Sequence, residues 1–141
     1  MNNDDKEMLS CALEGFFDDE KDRAAARCAI YDALEMVDFE RIASVMEFLD
    51  WRWMGNDRPP AAMEIRRHAL GCIASCLDTM AKNGEDCCRC ASGGIETRCE
   101  MKGGEFCVNV WFVLEEGTGE FVYGKEEWPR EFIYGKEECP R

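Results

Sequence analysis

Histidine is nearly missing from this chain: His68 is the one example in 141 residues. A Ser- or Cys-based triad would have to use it, and a multi-histidine metal centre has no material to work with. His68 stands in Arg66-Arg67-His68, within a stretch of helical spacing. Its neighbours three and four residues away are Glu64, Ile65, Gly71 and Cys72. Those neighbours describe a half-buried structural histidine, and no His-dependent enzyme is expected.

Positive charge is also scarce. There are 17 Lys and Arg against 30 Asp and Glu, for a net charge of −13. Nucleic acid and anionic membrane are themselves polyanions, so direct binding to either is disfavoured, and a partner with a basic surface is favoured. No apolar run approaches the length that spans a bilayer. The opening residues, Met1-Asn2-Asn3-Asp4-Asp5, lack an apolar stretch behind a basic start, so no export signal is expected and the expected compartment is the cytoplasm. Neither a P-loop nor a G-x-G-x-x-G occurs, and Cys87-x-x-Cys90 has no second C-x-x-C to complete a zinc site.

What the chain does have is apolar substance: 46% hydrophobic residues, four Trp and eight Phe. That is enough for one real core, in a length that suits one domain. Ten cysteines would suggest a disulfide framework in a secreted protein. Several fall beside Ala, Ile and Leu on apolar faces, and without an export signal they read as small buried hydrophobes.

Periodicity gives four helices. Met8, Leu9, Ala12, Leu13 and Phe16 form one stripe over 4–16, with Asn3 able to cap it. Asp18 or Asp19 starts a second helix over 20–36, with Ile30, Leu34 and Val37 on one face. Asp38 can cap a third over 39–49, through Phe39, Ile42, Val45, Met46 and Leu49. Pro59-Pro60 opens a fourth over 61–82. Its buried face is Ile65, Ala69, Cys72, Ile73, Cys76, Leu77 and Met80, and Asn83-Gly84 stops it.

Strand signals are fewer. Asp50-Trp51-Arg52-Trp53-Met54 alternates and reads as a short strand. Residues 85–94 read as a polar, cysteine-rich loop. Gly103-Gly104 suits a two-residue hairpin turn. Pairing outward from it sets Met101 with Phe106, Cys99 with Val108, Thr97 with Val110 and Ile95 with Phe112 on one apolar face. Glu100 with Cys107, Arg98 with Asn109 and Glu96 with Trp111 share the other. The expected fold is α+β: about four helices on a small antiparallel sheet, made of the hairpin 95–114 and a strand near 50–54. Residues 1–116 form one domain, with 1–37 as a helical N-terminal extension and 117–141 as a tail.

The tail is a tandem repeat. Residues 120–130 and 131–141 agree at nine of eleven positions, differing at Val122 against Ile133 and Trp128 against Cys139. Two copies are too few for a solenoid. Each carries a strand-prone Phe-Val/Ile-Tyr triplet that could add to a sheet edge or a partner.

Candidate surfaces follow. Trp51, Trp53, Arg66, Arg67 and Ser92-Gly93-Gly94 could bind a small ligand such as a nucleotide signal, through π faces, guanidinium groups and backbone amides. The plain alternative is that the tryptophans pack and the arginines are solvated. A metal, if any, would involve Cys87 and Cys90. The hairpin register sends Cys99 and Cys107 to opposite faces, so no metal site and no cofactor is expected. Residues 1–22 carry a net −6 and residues 115–141 a net −4. That acid makes Asp4, Asp5, Asp18, Asp19, Glu20, Glu126 and Glu127 candidates for partner binding.

Finally, Leu49-Asp50-Trp51-Arg52-Trp53, Pro59, the helix from Ile65 to Leu77, Ser92-Gly93-Gly94-Ile95 and Phe112-Val113-Leu114-Glu115-Glu116 form a pattern over roughly 38–116. In it the chain resembles small uncharacterised proteins carried by bacteriophages and prophages of gut bacteria. The resemblance transfers no catalytic residues. It implies a non-enzymatic accessory protein in the host cytoplasm that inhibits a host nucleic-acid-handling or antiviral-defence component through acidic surfaces. A nucleotide-binding protein and a zinc- or thiol-dependent module are the alternatives, and a homo-oligomer is left open.

Overall fold

A computed structural model describes residues 3–48, 50, 57–92, 94–112, 115–116 and 121–122. Four helices come first: α1 (Asn3–Phe16), α2 (Glu20–Glu35), α3 (Phe39–Phe48) and α4 (Ala62–Asn83). Strands follow: β1 (Cys87–Ser92), β2 (Ile95–Lys102), β3 (Glu105–Phe112), and the two-residue β4 (Glu115–Glu116) and β5 (Phe121–Val122). β1, β2 and β3 form an antiparallel sheet in that order, and β4 pairs with β5. The arrangement is α+β.

Local chemistry sets the helix ends. Asp19 accepts the Lys21 N–H at 2.9 Å and caps α2. Asp38 does the same for α3, accepting from the Arg41 N–H at 3.0 Å. At α4, the Glu64 carboxylate accepts the Ala61 N–H at 3.1 Å, one half of a capping box, because an alanine side chain accepts nothing in return. Gly84 ends α4 in the left-handed region at φ 64°, and both its N–H and that of Glu85 reach the Met80 carbonyl. This is the geometry that favours glycine after a helix.

α4 is the central element. It packs against α1, α3, β1 and β2, while α2 lies along β3. Ile65, Ala69, Cys72, Ile73, Cys76, Leu77 and Met80 are buried as their spacing predicts, and Leu70 and Ala74 are buried as well. A helix packed on several sides needs a wider apolar surface than one stripe. Leu9 and Leu13 of α1 and Ala26, Ile30 and Leu34 of α2 belong to the same core cluster.

The β2–β3 hairpin has the expected register, residue for residue, and Gly103 and Gly104 turn it with φ of 59° and 83°. One expectation needs correction. The stretch read as a loop at 85–94 is mostly strand: β1 pairs with β2 from Cys87 opposite Glu100 to Ser92 opposite Ile95. It supplies the third strand of the sheet. The strand expected near 50–54, with Trp51 and Trp53, falls on residues outside the described set. Asp50 is described, and its φ of 53° is left-handed and not extended.

The sheet's outward face is also less polar in its setting than its sequence suggests. Asn109 and Trp111 are almost wholly buried there. The Trp111 indole N–H donates to Glu96 Oε2 at 2.6 Å, and the Arg89 guanidinium lies 5.2 Å from the indole ring centroid. Arg98 and Glu100 pair at 2.9 Å beside them.

Candidate functional site

The groups with most chemical potential meet along the seam between α4 and the sheet. Helical spacing of four aligns His68, Cys72 and Cys76 on one side of α4. Strand alternation turns Cys88, Cys90 and Ser92 of β1 inward, and Thr97 and Cys99 of β2 beside them. The register sets Cys88 opposite Cys99 and Cys90 opposite Thr97. Five of the ten cysteines and the single histidine therefore share one seam.

His68 Nε2 lies 3.1 Å from the Ser92 carbonyl oxygen. A carbonyl only accepts, so Nε2 carries the proton and donates it there. Cys72 Sγ is 3.8 Å from the same nitrogen. With its proton directed at Ser92, Nε2 is not a base for that thiol. Burial first, then the adjacent Cys90 thiol, pushes Cys72 up to about 12. Burial and Cys76 push Cys88 up to about 11. Cys76 moves the other way. A hydrogen bond from Cys99, then Thr97 at 3.7 Å and Cys88, draw it down to about 6 against its burial. Its contact with the Cys88 carbonyl at 3.7 Å opposes that fall, because that acceptor needs the thiol proton.

Reactive cysteines need both thiolate character and access. Cys72 lacks the first, and Cys76, with no exposed surface, lacks the second. The seam is packed as core. Among the described residues, no group of three His, Cys, Asp or Glu is arranged to hold a metal ion.

One end of the seam opens into a groove of about 580 Å³ between α1, α4 and β1, with His68, Cys72, Cys90 and Ser92 on its floor. Arg67 and Glu64 stand on its rim, and Arg67 pairs with Asp5 of α1 at 3.2 Å. Glu64 is held below the usual carboxylate range by the Arg58 guanidinium at 2.7 Å, then by the Ala61 N–H.

The residues expected to bind a small ligand do not assemble. Arg67 and Ser92 share this groove. Arg66 instead lines a separate depression with Val37, Phe39 and Met63. Gly94 sits in the β1–β2 turn at φ 85°. Trp51, Trp53 and Gly93 lie outside the described residues. The Cys87-x-x-Cys90 pair is split, because residues three apart on a strand face opposite ways: Cys87 is exposed and Cys90 turns inward.

Of the acids singled out, Asp4, Asp18, Asp19 and Glu20 are exposed. Asp5 is tied to Arg67, Asp19 caps α2, and Glu20 pairs with Arg23 at 3.1 Å. Glu126 and Glu127 lie outside the described residues. The convergence of His68, Cys72 and Cys90 went unread in the sequence because β1 did. Cysteines occur on both of its faces, which hides the alternation that marks a strand.

No family model, no curated protein and no solved structure matches this chain.

Proposed function

We propose that this chain is a non-enzymatic binding protein that engages a partner with a basic surface, acting as a phage-type accessory factor on a host nucleic-acid-handling or defence protein in the cytoplasm. The observation that carries the reading is the surface of the first two helices. Asp4, Glu7, Glu14, Asp18, Glu20 and Asp22 all stand exposed on α1, α2 and the turn between them. Over residues 3–35 ten Asp and Glu stand against four basic residues, Lys6, Lys21, Arg23 and Arg27. A concentration of like charge attracts a basic surface and speeds encounter with it.

Two further observations support it. The histidine and the inner thiols are committed to packing. The groove above them is rimmed by Asp5 and Glu64, with Arg67 already paired, so an anionic nucleotide would meet carboxylates at the entrance. Among the described residues no helix is long and apolar enough to cross a membrane.

Deleting residues 1–22 would strip Leu9, Leu13 and Phe17 from the core, so the test neutralises charge instead. The variant Asp4→Asn, Glu7→Gln, Glu14→Gln, Asp18→Asn, Asp22→Asn spares the cap at Asp19 and the Glu20–Arg23 pair. Both proteins are used as bait in host lysate at low and raised salt. The native chain should retain a salt-sensitive partner that the neutralised variant loses. Identical partners with identical salt dependence would refute the reading.

A further inference from the structure

α2 sends Ala26, Ile30 and Leu34 into the core. The face beside them is only partly covered. Asp22, Ala25, Ala29, Asp32 and Met36 follow one another at steps of three and four, so they form one stripe along the helix. Ala29 is half-buried and the other four are exposed.

Two hollows run beside that stripe. One, of about 330 Å³, lies between Asp22 and Ala25 on the helix and Phe17, Met101 and Phe106. The other, of about 240 Å³, lies between Ala29, Asp32, Ala33 and Met36 and the first half of β3. Glu105 and Phe106 line both, so the hollows are neighbours along one groove. The floor is aromatic where they meet: the half-buried Phe106 ring lies edge-on to Phe17, with centroids 5.5 Å apart. Val108, Asn109 and Val110 at the far end are buried. What the groove offers a partner is therefore the helix stripe and the Phe106 ring, not the backbone of the strand. A cavity of about 150 Å³ accepts a benzene-sized group, so each hollow has room for one large apolar side chain.

The rim has one sign of charge. Asp22 stands at the first hollow, Asp32 at the second and Glu105 between them, and no lysine or arginine lines either. Among the described residues, none of the three is in an ion pair. Lys102 faces Glu105 across the turn but lines neither hollow. Apolar hollows under a carboxylate rim complement apolar anchors flanked by cations. A polyanion brings the wrong sign, and so does a second copy of a chain with net charge −13.

Spacing sets the form of the occupant. Ala25 and Ala33 mark the levels of the two hollows and are eight residues apart, about 12 Å along a helix axis. A helix lying along the groove meets both with residues about two turns apart, the anchor pattern of helix-in-groove recognition. Met36, exposed at the end of the stripe, gives the rim a side chain that adapts its shape.

We propose that the groove between α2 and the start of β3 docks a basic amphipathic helix of a protein partner. Two apolar side chains seat in the hollows, and lysines or arginines lie over Asp22, Asp32 and Glu105. The inference rests on the acidic-face reading for the sign of the partner's charge, and adds where and in what form the partner is held.

The probe is a synthetic helical peptide of about fifteen residues, the length of α2 from Asp22 to Met36. Its leucines lie on one face at i, i+4 and i+8, and lysines flank them. One control has the same composition with the leucines scattered around the helix. A second keeps the leucine pattern and replaces lysine by glutamate. Fluorescence anisotropy at low and raised salt measures binding to the full chain, and amide chemical shifts locate it. The patterned lysine peptide should bind about tenfold more tightly than the scattered one and shift the amides of Ala25, Ala29, Ala33 and Phe106. Ala25→Gln/Ala33→Gln fills both hollows without changing charge and should abolish that preference. Ala33 is half-buried, so the single Ala25→Gln variant, at an exposed position, is run beside it and should weaken the preference with unchanged thermal unfolding. Equal affinity for the patterned and scattered lysine peptides, both weakened by salt, overturns the groove and leaves the acidic face standing. Equal affinity for the lysine and glutamate peptides overturns the charge on which both readings rest. Absence of binding by the patterned lysine peptide, or shifts confined to residues outside the groove, overturns the proposal.

Discussion

Trp111 and Glu96 face each other across the β2–β3 pair, and the indole N–H reaches the carboxylate at 2.6 Å on a side of the sheet where Trp111 is almost wholly buried. A buried donor has few alternatives to the partner it has. Replacing Glu96 by Ala leaves that N–H without an acceptor and should cost about 1–3 kcal/mol. Glu96→Gln, which keeps an acceptor oxygen, should cost less. Urea unfolding followed by circular dichroism reads both values. Equal stability in Glu96→Ala and the native protein would show that this bond contributes nothing.

The thiol seam predicts a graded pattern of alkylation. Cys11, Cys28 and Cys87 are exposed, Cys88, Cys90 and Cys107 are half-buried, and Cys72, Cys76 and Cys99 are buried. Maleimide labelling of the native protein, read by peptide mass, should modify the first set quickly and the last only after unfolding. Cys87 and Cys90 are the sharpest comparison, because their sequence spacing suggests a working pair and the strand separates them. Equal rates at those two positions would contradict the placement of β1.

Most of the fold is legible in the sequence wherever one period dominates. The α3 stripe of Phe39, Ile42, Val45 and Met46 and the hairpin pairs around Gly103-Gly104 each follow from spacing alone, since a register error of one residue would invert every face. β1 is illegible for the opposite reason. Cys87-Cys88-Arg89-Cys90 offers no contrast between its faces, because cysteine is at home in core and at the surface. The candidate site inherits that blindness: His68, Cys72 and Cys76 announce a helix face and the hairpin register turns Cys99 to the core, but nothing in the chain says that Cys88 and Cys90 join them. The splitting of Arg66 from Arg67 is equally a matter of helix phase, 100° per residue, acting on neighbours that look like a pair.

The same seam should make stability depend on pH in two opposed ways. Cys72 and Cys88 bind their protons more tightly when folded, at about 12 and about 11 against an ordinary 9.0. Their contribution is complete below pH 9 and is lost as pH rises through the folded values. Cys76, lowered to about 6, contributes above pH 9, and its share is lost as pH falls through 6. Urea midpoints under a phosphine reductant should therefore decline from pH 9 to pH 11. The decline should flatten in Cys72→Ala/Cys88→Ala, which removes both raised thiols. A double variant with the native alkaline slope would assign that slope to other groups.

Adjacent acids at the α1–α2 turn should behave as different residues. Asp19 accepts the Lys21 N–H at 2.9 Å and caps α2, with extended backbone at φ −97° and ψ 130°. Its replacement by Ala removes the acceptor for an otherwise orphaned helix donor and should cost about 0.5–2 kcal/mol. Asp18 is exposed and contributes its backbone carbonyl to Arg23 at 3.2 Å, a contact that any residue supplies equally. Asp18→Ala should thus change stability by no more than about 0.5 kcal/mol. In partner capture the order should reverse in kind. Asp18→Ala weakens a charge-driven association without loosening the fold, whereas the effect of Asp19→Ala follows its loss of stability. Paired thermal unfolding and salt-dependent binding of the two variants separate these outcomes. Equal destabilisation by both would mean that Asp19 is not the cap.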